Sequence, residues 1–145
     1  MKKGAELKME IDILKEAKNV FDIEIAELEK LKSKLGDDFQ KLVRMILELK
    51  NNNKVVVTGI GKSGIIGKKI TATLASTGTT AVFINAAEAL HGDLGMISDG
   101  DVVIAISNSG NSDEVLSILA PIKKLEEKLL HLLEILILHW ENMRN

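Results

Sequence analysis

Two short runs of consecutive apolar, mostly β-branched residues, Val55-Val56-Val57 and Val102-Val103-Ile104-Ala105-Ile106, each end in a loop of glycines, serines and other small polar residues. Strands that are apolar at every position are buried on both faces, which marks a parallel sheet covered by helices on each side. The loops that follow, GIGKSG from Gly59 to Gly64 and SNSGNS from Ser107 to Ser112, each open what reads as a helix. Backbone amides at a helix N-terminus, left accessible by small residues, are the physical recipe for holding a phosphate. Two such loops predict an α/β fold that binds a phosphorylated small molecule.

The remaining elements fit around these two strands. From Leu14 the apolar positions run Ala17, Phe21, Ile25, Leu28, Leu31 and Leu35, painting one helix face, with Gly36 as its expected C-cap. Asp37 or Asp38 then caps a second helix carrying Phe39, Leu42, Val43, Ile46 and Leu49, which ends at the turn Asn51-Asn52-Asn53. Next come a strand over Lys54 to Thr58, a helix over Ser63 to Ser76, a strand over Thr80 to Ile84, a strand over Asp101 to Ile106 and a helix from about Ser112. The expected fold is therefore a three-layer α/β sandwich with a parallel sheet, preceded by two N-terminal helices.

Bulk properties narrow the function. At 145 residues, with 46% hydrophobic residues, the chain is one domain's worth with enough apolar surface for a core. A formal net charge of -2 gives no broad basic surface, so neither nucleic acid nor an anionic membrane is an expected partner. There is no cysteine, which excludes disulfides and thiolate metal sites. The N-terminus, MKKGAELKMEIDILKEA, has charges where a signal peptide needs an apolar core, and the stretch Leu129 to Leu138 is interrupted by His131 and Glu134. A cytoplasmic protein is expected.

Each candidate motif has rivals. Gly59, Gly61 and Gly64 satisfy G-x-G-x-x-G, but the second strand ends at Ile84-Asn85 without the acidic residue that would hold a dinucleotide ribose. A triphosphate loop also fails, because the position five before Gly61 is Val56 and not glycine. No cofactor is expected. What remains is an anion cradle with Lys62 and Ser63 at the helix start, where a merely tight turn would explain the glycines but not the lysine. In the second loop the hydroxyls of Ser107, Ser109 and Ser112 and the side-chain amide of Asn108 can all donate to phosphate oxygens, although Ser112 also suits a plain N-cap. Between the loops His91 lies near Glu88 and Asp93, on a connection that leaves the same end of the sheet. Its value there is as an acid or base near neutral pH, since one histidine and scattered acids make no recognisable metal site.

VVVTGIGKSG, TLASTGTTAVFINAAEALHGDLGMI and DVVIAISNSGNSDE, in that order, resemble the sugar isomerase (SIS) domain of the arabinose-5-phosphate isomerases, over about Leu14 to Leu125. The resemblance implies a cytoplasmic aldose-ketose isomerase that interconverts D-ribulose 5-phosphate and D-arabinose 5-phosphate for bacterial surface polysaccharide, working as a tetramer. It places the catalytic lysine, histidine and glutamate on Lys62, His91 and Glu114. It places the phosphate-holding serines on Ser63, Ser107, Ser109 and Ser112, which with Gly61, Gly64 and Asn108 of the same two loops make up the expected phosphate site. Glu114 would move the proton between C1 and C2 through a cis-enediol, Lys62 would stabilise the developing oxyanion, and His91 would assist ring opening or proton shuttling. The same domain also serves as a phosphosugar sensor in regulators, so a binding module without catalysis is the alternative.

The resemblance divides the chain into residues 1–125, the N-terminal part of such a domain, and 126–145, a leucine-rich tail expected to be helical. It implies five strands where only three are legible, leaving the C-terminal half of the domain incomplete. Synonymous codons for EEKLLHLLEILILHWENMRN, read one base out of register, give RKIIAFTGNPNSPLGKYAK, which resembles the family's fourth strand and following turn. The tail thus reads as a frameshift; an intact frame near the Leu125 codon in the gene excludes it. Loss of the fourth strand would leave Val102 to Ile106 as an open apolar edge.

Overall fold

The computed structural model of the chain describes residues 12–50, 52–125 and 133–134. It divides into two units, Met1–Phe39 and Gln40–Asn145. In the first, helix α1 (Ile13–Lys34) is capped by Asp12, whose carboxylate accepts from the Lys15 amide at 3.1 Å. Its apolar face forms as the spacing predicts, with Leu14, Phe21 and Leu28 exposed. The helix stops one residue before the expected glycine: Leu35 is the C-cap, in extended backbone. Gly36 is not among the glycines with positive φ.

Helix α2 (Asp37–Leu47) starts at Asp37, so both aspartates sit in its first turn, where negative charge complements the helix dipole. In the second unit, strands β1 (Val55–Gly59), β2 (Ala81–Asn85), β3 (Val102–Ala105) and β4 (Leu133–Glu134) form one sheet in the order β2-β1-β3-β4. All pairs are parallel; Val56 lies opposite Val82 on one side and Val103 on the other. The central strand is sealed, with Val55, Val56 and Val57 all at 0% exposure.

Helices cover both faces, as consecutive apolar strands require. On one face Val55, Val57, Val102 and Ile104 pack with Leu42 of α2 and with Ile70 and Leu74 of α3 (Gly61–Ser76). On the other, Val56, Val103 and Ile84 meet Val115, Ile118 and Ile122 of α5 (Asp113–Leu125) and Ala86 and Ala89 of α4 (Ala86–Ala89). Helix α3 lies close on the sheet because Gly67 has no side chain. A Cβ there would come within 2.8 Å of the Phe83 ring.

The edge of β3 is not left wholly open. Ile104 and Ala105 pair with Leu133 and Glu134, so these two tail residues are strand where a helix was expected. An edge of unpaired backbone groups recruits whatever chain can reach it, and that outweighs the helical preference of leucine. The rest of the expected tail helix lies outside the described residues.

One group in the core is badly served. Thr58, 1% exposed, has a hydroxyl with no hydrogen-bond partner. Thr58→Val keeps the shape and removes that group, so it is expected to stabilise the fold by about 1 kcal/mol. Urea unfolding reads the gain; a lower midpoint for the variant would contradict it.

Candidate functional site

Parallel strands bring three connections to one edge of the sheet, because their carboxyl ends all point the same way. The loops after β1 and β3 leave neighbouring strands. Ile106 donates its amide to the Thr58 carbonyl at 2.8 Å, and a Cβ on Gly59 would come within 2.9 Å of the Ile106 carbonyl oxygen. Only glycine allows these two exits to cross so closely.

The first loop is shorter than the sequence suggests, since α3 begins at Gly61, two residues before the expected Ser63, with Ile60 as N-cap. Gly61 has φ +53 with open space around its Cβ position, so it is required for its backbone conformation and not for room. The first intrahelical bond runs from the Gly64 amide to the Ile60 carbonyl at 3.0 Å. The amides of Gly61, Lys62 and Ser63 precede it and have no partner within the helix. These three amides can receive an anion, with the exposed Lys62 among them. Gly64 is different: its amide is committed, and its missing side chain makes room for the Gly59 carbonyl oxygen, 3.1 Å from where a Cβ would sit.

The second loop is held by its own hydroxyls. Ser107 and Ser112 share a hydrogen bond of 2.9 Å, the Gly110 amide donates to Ser107 Oγ at 3.1 Å, and the Asn111 amide donates to Ser109 Oγ at 3.2 Å. Ser112 thus spends its hydroxyl on Ser107 and not on a first-turn amide of α5. Asn108 and Ser109 are exposed. Helix α5 makes its first bond from Leu116 to the Ser112 carbonyl, which leaves the amides of Asp113, Glu114 and Val115 without intrahelical partners.

The third connection follows β2. Asn85 accepts from the Ala87 amide at 3.1 Å and so caps α4, a four-residue helix that sequence reasoning left as irregular chain. The amide of His91 closes a turn on the Glu88 carbonyl at 2.9 Å; its ring is exposed, as is the Glu114 carboxylate on α5. No hydrogen bond or ion pair joins Lys62, His91 and Glu114. Among the described residues no three histidines, cysteines or acids gather as a metal site, and no helix is long and apolar enough to cross a membrane.

This arrangement matches known proteins. The sequence profile described as the SIS domain covers residues 48–134. The chain belongs to the SIS domain family. Among curated SIS relatives, the arabinose 5-phosphate isomerase KdsD of Francisella tularensis is 49% identical over 122 residues, which is 81% of this chain and 37% of that protein. GutQ of Escherichia coli K12, another arabinose 5-phosphate isomerase, is 50% identical over 121 residues, covering 83% of this chain and 36% of the relative. The structure of c3406 from E. coli CFT073 in complex with A5P superposes with a TM-score of 0.72 at 41% identity, over 79% of this chain and 60% of that one. The chain therefore spans a little over a third of the length of these curated relatives.

Sequence reasoning passed over Asn85 as the cap of α4. A signal was present, because Asn followed by Ala-Ala-Glu is an N-cap pattern, but the helix it starts is too short to show a period.

Proposed function

We propose that this chain is the phosphosugar-binding part of an aldose-ketose isomerase acting between D-ribulose 5-phosphate and D-arabinose 5-phosphate, a cytoplasmic step toward surface polysaccharide. The supporting observation is the pair of loops leaving the adjoining strands β1 and β3, with their exits in contact at Gly59 and Ile106. Lys62 and the free amides of Gly61 and Ser63 hold the phosphate together with Ser107, Asn108, Ser109 and Ser112. Glu114 acts as the base that moves a proton between C1 and C2, Lys62 offsets the oxyanion charge, and His91 handles protons on the sugar oxygens. Assembly into a homo-oligomer follows the same reading.

Lys62, His91 and Glu114 are all exposed and unconnected, so they lack the water-excluded, preorganised setting on which such chemistry depends. The chain is therefore expected to bind the phosphosugar and turn it over weakly or not at all. In that form it acts like the regulatory modules that use this domain as a sensor. Calorimetry with arabinose 5-phosphate, beside a turnover assay with ribulose 5-phosphate, tests both halves of this reading. Lys62→Met is expected to weaken phosphate binding about tenfold, the worth of one charge-assisted contact. Unchanged affinity in that variant rejects the first loop as the phosphate grip, and brisk turnover by the unmodified chain rejects its proposed inactivity.

A further inference from the structure

Asn85 ends β2 directly beside Gly59, the last residue of β1 and the start of the first phosphate loop. Neighbouring strands lie about 5 Å apart, so Asn85 starts its connection one strand spacing from the start of the first loop. Side chains alternate along a strand: Ile84 belongs to the α4 and α5 face, and Phe83 to the α2 and α3 face. That alternation puts the Asn85 Cβ on the α3 side of the strand, while its carboxamide oxygen reaches the first turn of α4.

Its carboxamide is also oriented. The oxygen accepts from the Ala87 amide at 3.1 Å, which fixes the plane of the group. The Nδ2 end donates to nothing among the described residues, and the residue is only half-buried. An unused donor thus sits at the end of β2, where the chain turns into the connection that carries His91.

We propose that Asn85 is a specificity-determining residue whose Nδ2 donates to an oxygen of the sugar chain, beyond the phosphate, so that the site prefers a phosphosugar to a bare phosphate. The inference rests on the phosphosugar reading above. The capping oxygen and the substrate-facing amide belong to the same group, so α4, the turn at His91 and the sugar are registered by one side chain. Binding specificity and the placement of His91 are coupled through it.

The two roles separate by substitution. Asn85→Ser keeps a good N-cap but loses the donor's reach, whereas Asn85→Ala loses both. The full chain and both variants are titrated calorimetrically with arabinose 5-phosphate and with inorganic phosphate, and their thermal midpoints are recorded. Asn85→Ser is expected to keep the midpoint and the affinity for inorganic phosphate while losing about fivefold in affinity for the sugar phosphate, the worth of one hydrogen bond. Asn85→Ala should show the same loss together with a lower midpoint. An unchanged ratio of the two affinities in Asn85→Ser, with the unmodified chain binding both ligands, overturns the role of Asn85 and leaves the phosphosugar reading standing. Failure of the unmodified chain to bind either ligand overturns both.

Discussion

Asp101→Asn is expected to destabilise the fold by about 2–4 kcal/mol, which lowers the thermal midpoint by on the order of 10 °C or more in a domain of this size. The Asp101 side chain is fully buried, and Lys54 is only 17% exposed where its ammonium meets the carboxylate at 2.6 Å. The same carboxylate accepts from the amides of Lys54 at 3.0 Å and Ser98 at 2.9 Å, and from the Asn53 carboxamide at 3.4 Å. It thereby ties the entrance of β1 to the entrance of β3, at the end of the sheet opposite the site. An asparagine there presents an NH2 group to donors and leaves the Lys54 ammonium without its counter-charge.

Burial works against ionisation of Asp101, but the Lys54 ammonium, together with the amides of Ser98 and Lys54 and the Asn53 carboxamide, holds its carboxyl below the usual carboxylate range. A depressed folded-state pKa means that the stabilisation is complete above the unfolded value, about 4, and is lost as pH falls through the lower folded value. The gap between the unmodified chain and Asp101→Asn should therefore narrow below about pH 4. Thermal unfolding between pH 3 and 7 measures it, and a midpoint within about 2 °C of the unmodified chain at neutral pH rejects this account.

Gly59→Ala is the second large effect. Its Cβ would lie 2.9 Å from the Ile106 carbonyl oxygen, 3.3 Å from the Ser63 carbonyl carbon and 3.4 Å from the Gly64 nitrogen. All three are backbone atoms of the two loops, so no flexible side chain can swing aside. The cost is about 1–3 kcal/mol of overpacking, and relief requires one of the two loops to move away from the other. Phosphate affinity is expected to fall at least about tenfold, because a site of aligned donors tolerates little displacement. Gly36→Ala is the control, since its nearest neighbour to a Cβ is a backbone oxygen at 3.9 Å. Urea unfolding with phosphate titration reads both variants. A Gly59→Ala chain that binds phosphate normally shows that the two exits do not need to touch.

Much of the sheet was legible because its strands carry a local signature: β1 and β3 are apolar at every position and β2 nearly so, and each fell within a residue or two of its expected place. The loops were legible for the same reason, since glycine, serine and asparagine at a strand's end have few other uses. Gly64 was not legible in its role. Its letter fits the phosphate motif, and in the packed chain its missing side chain also makes room for the Gly59 carbonyl oxygen. Asp101 and Lys54 stand 47 residues apart, and no periodicity relates them. The strand at Leu133–Glu134 went against local preference altogether.

Local chemistry, written in consecutive residues, determined the class of fold: apolar runs buried on both faces, and small-residue, amide-rich turns where helices begin. Only the packed chain decided that the exits of β1 and β3 touch, that Gly64 leaves room for the Gly59 carbonyl oxygen and Asn85 caps α4, and that one buried carboxylate fastens the far end of the sheet. Those facts depend on which residues meet across the strand register. That meeting is fixed by the pairing of strands remote in sequence, which no single stretch of the chain encodes.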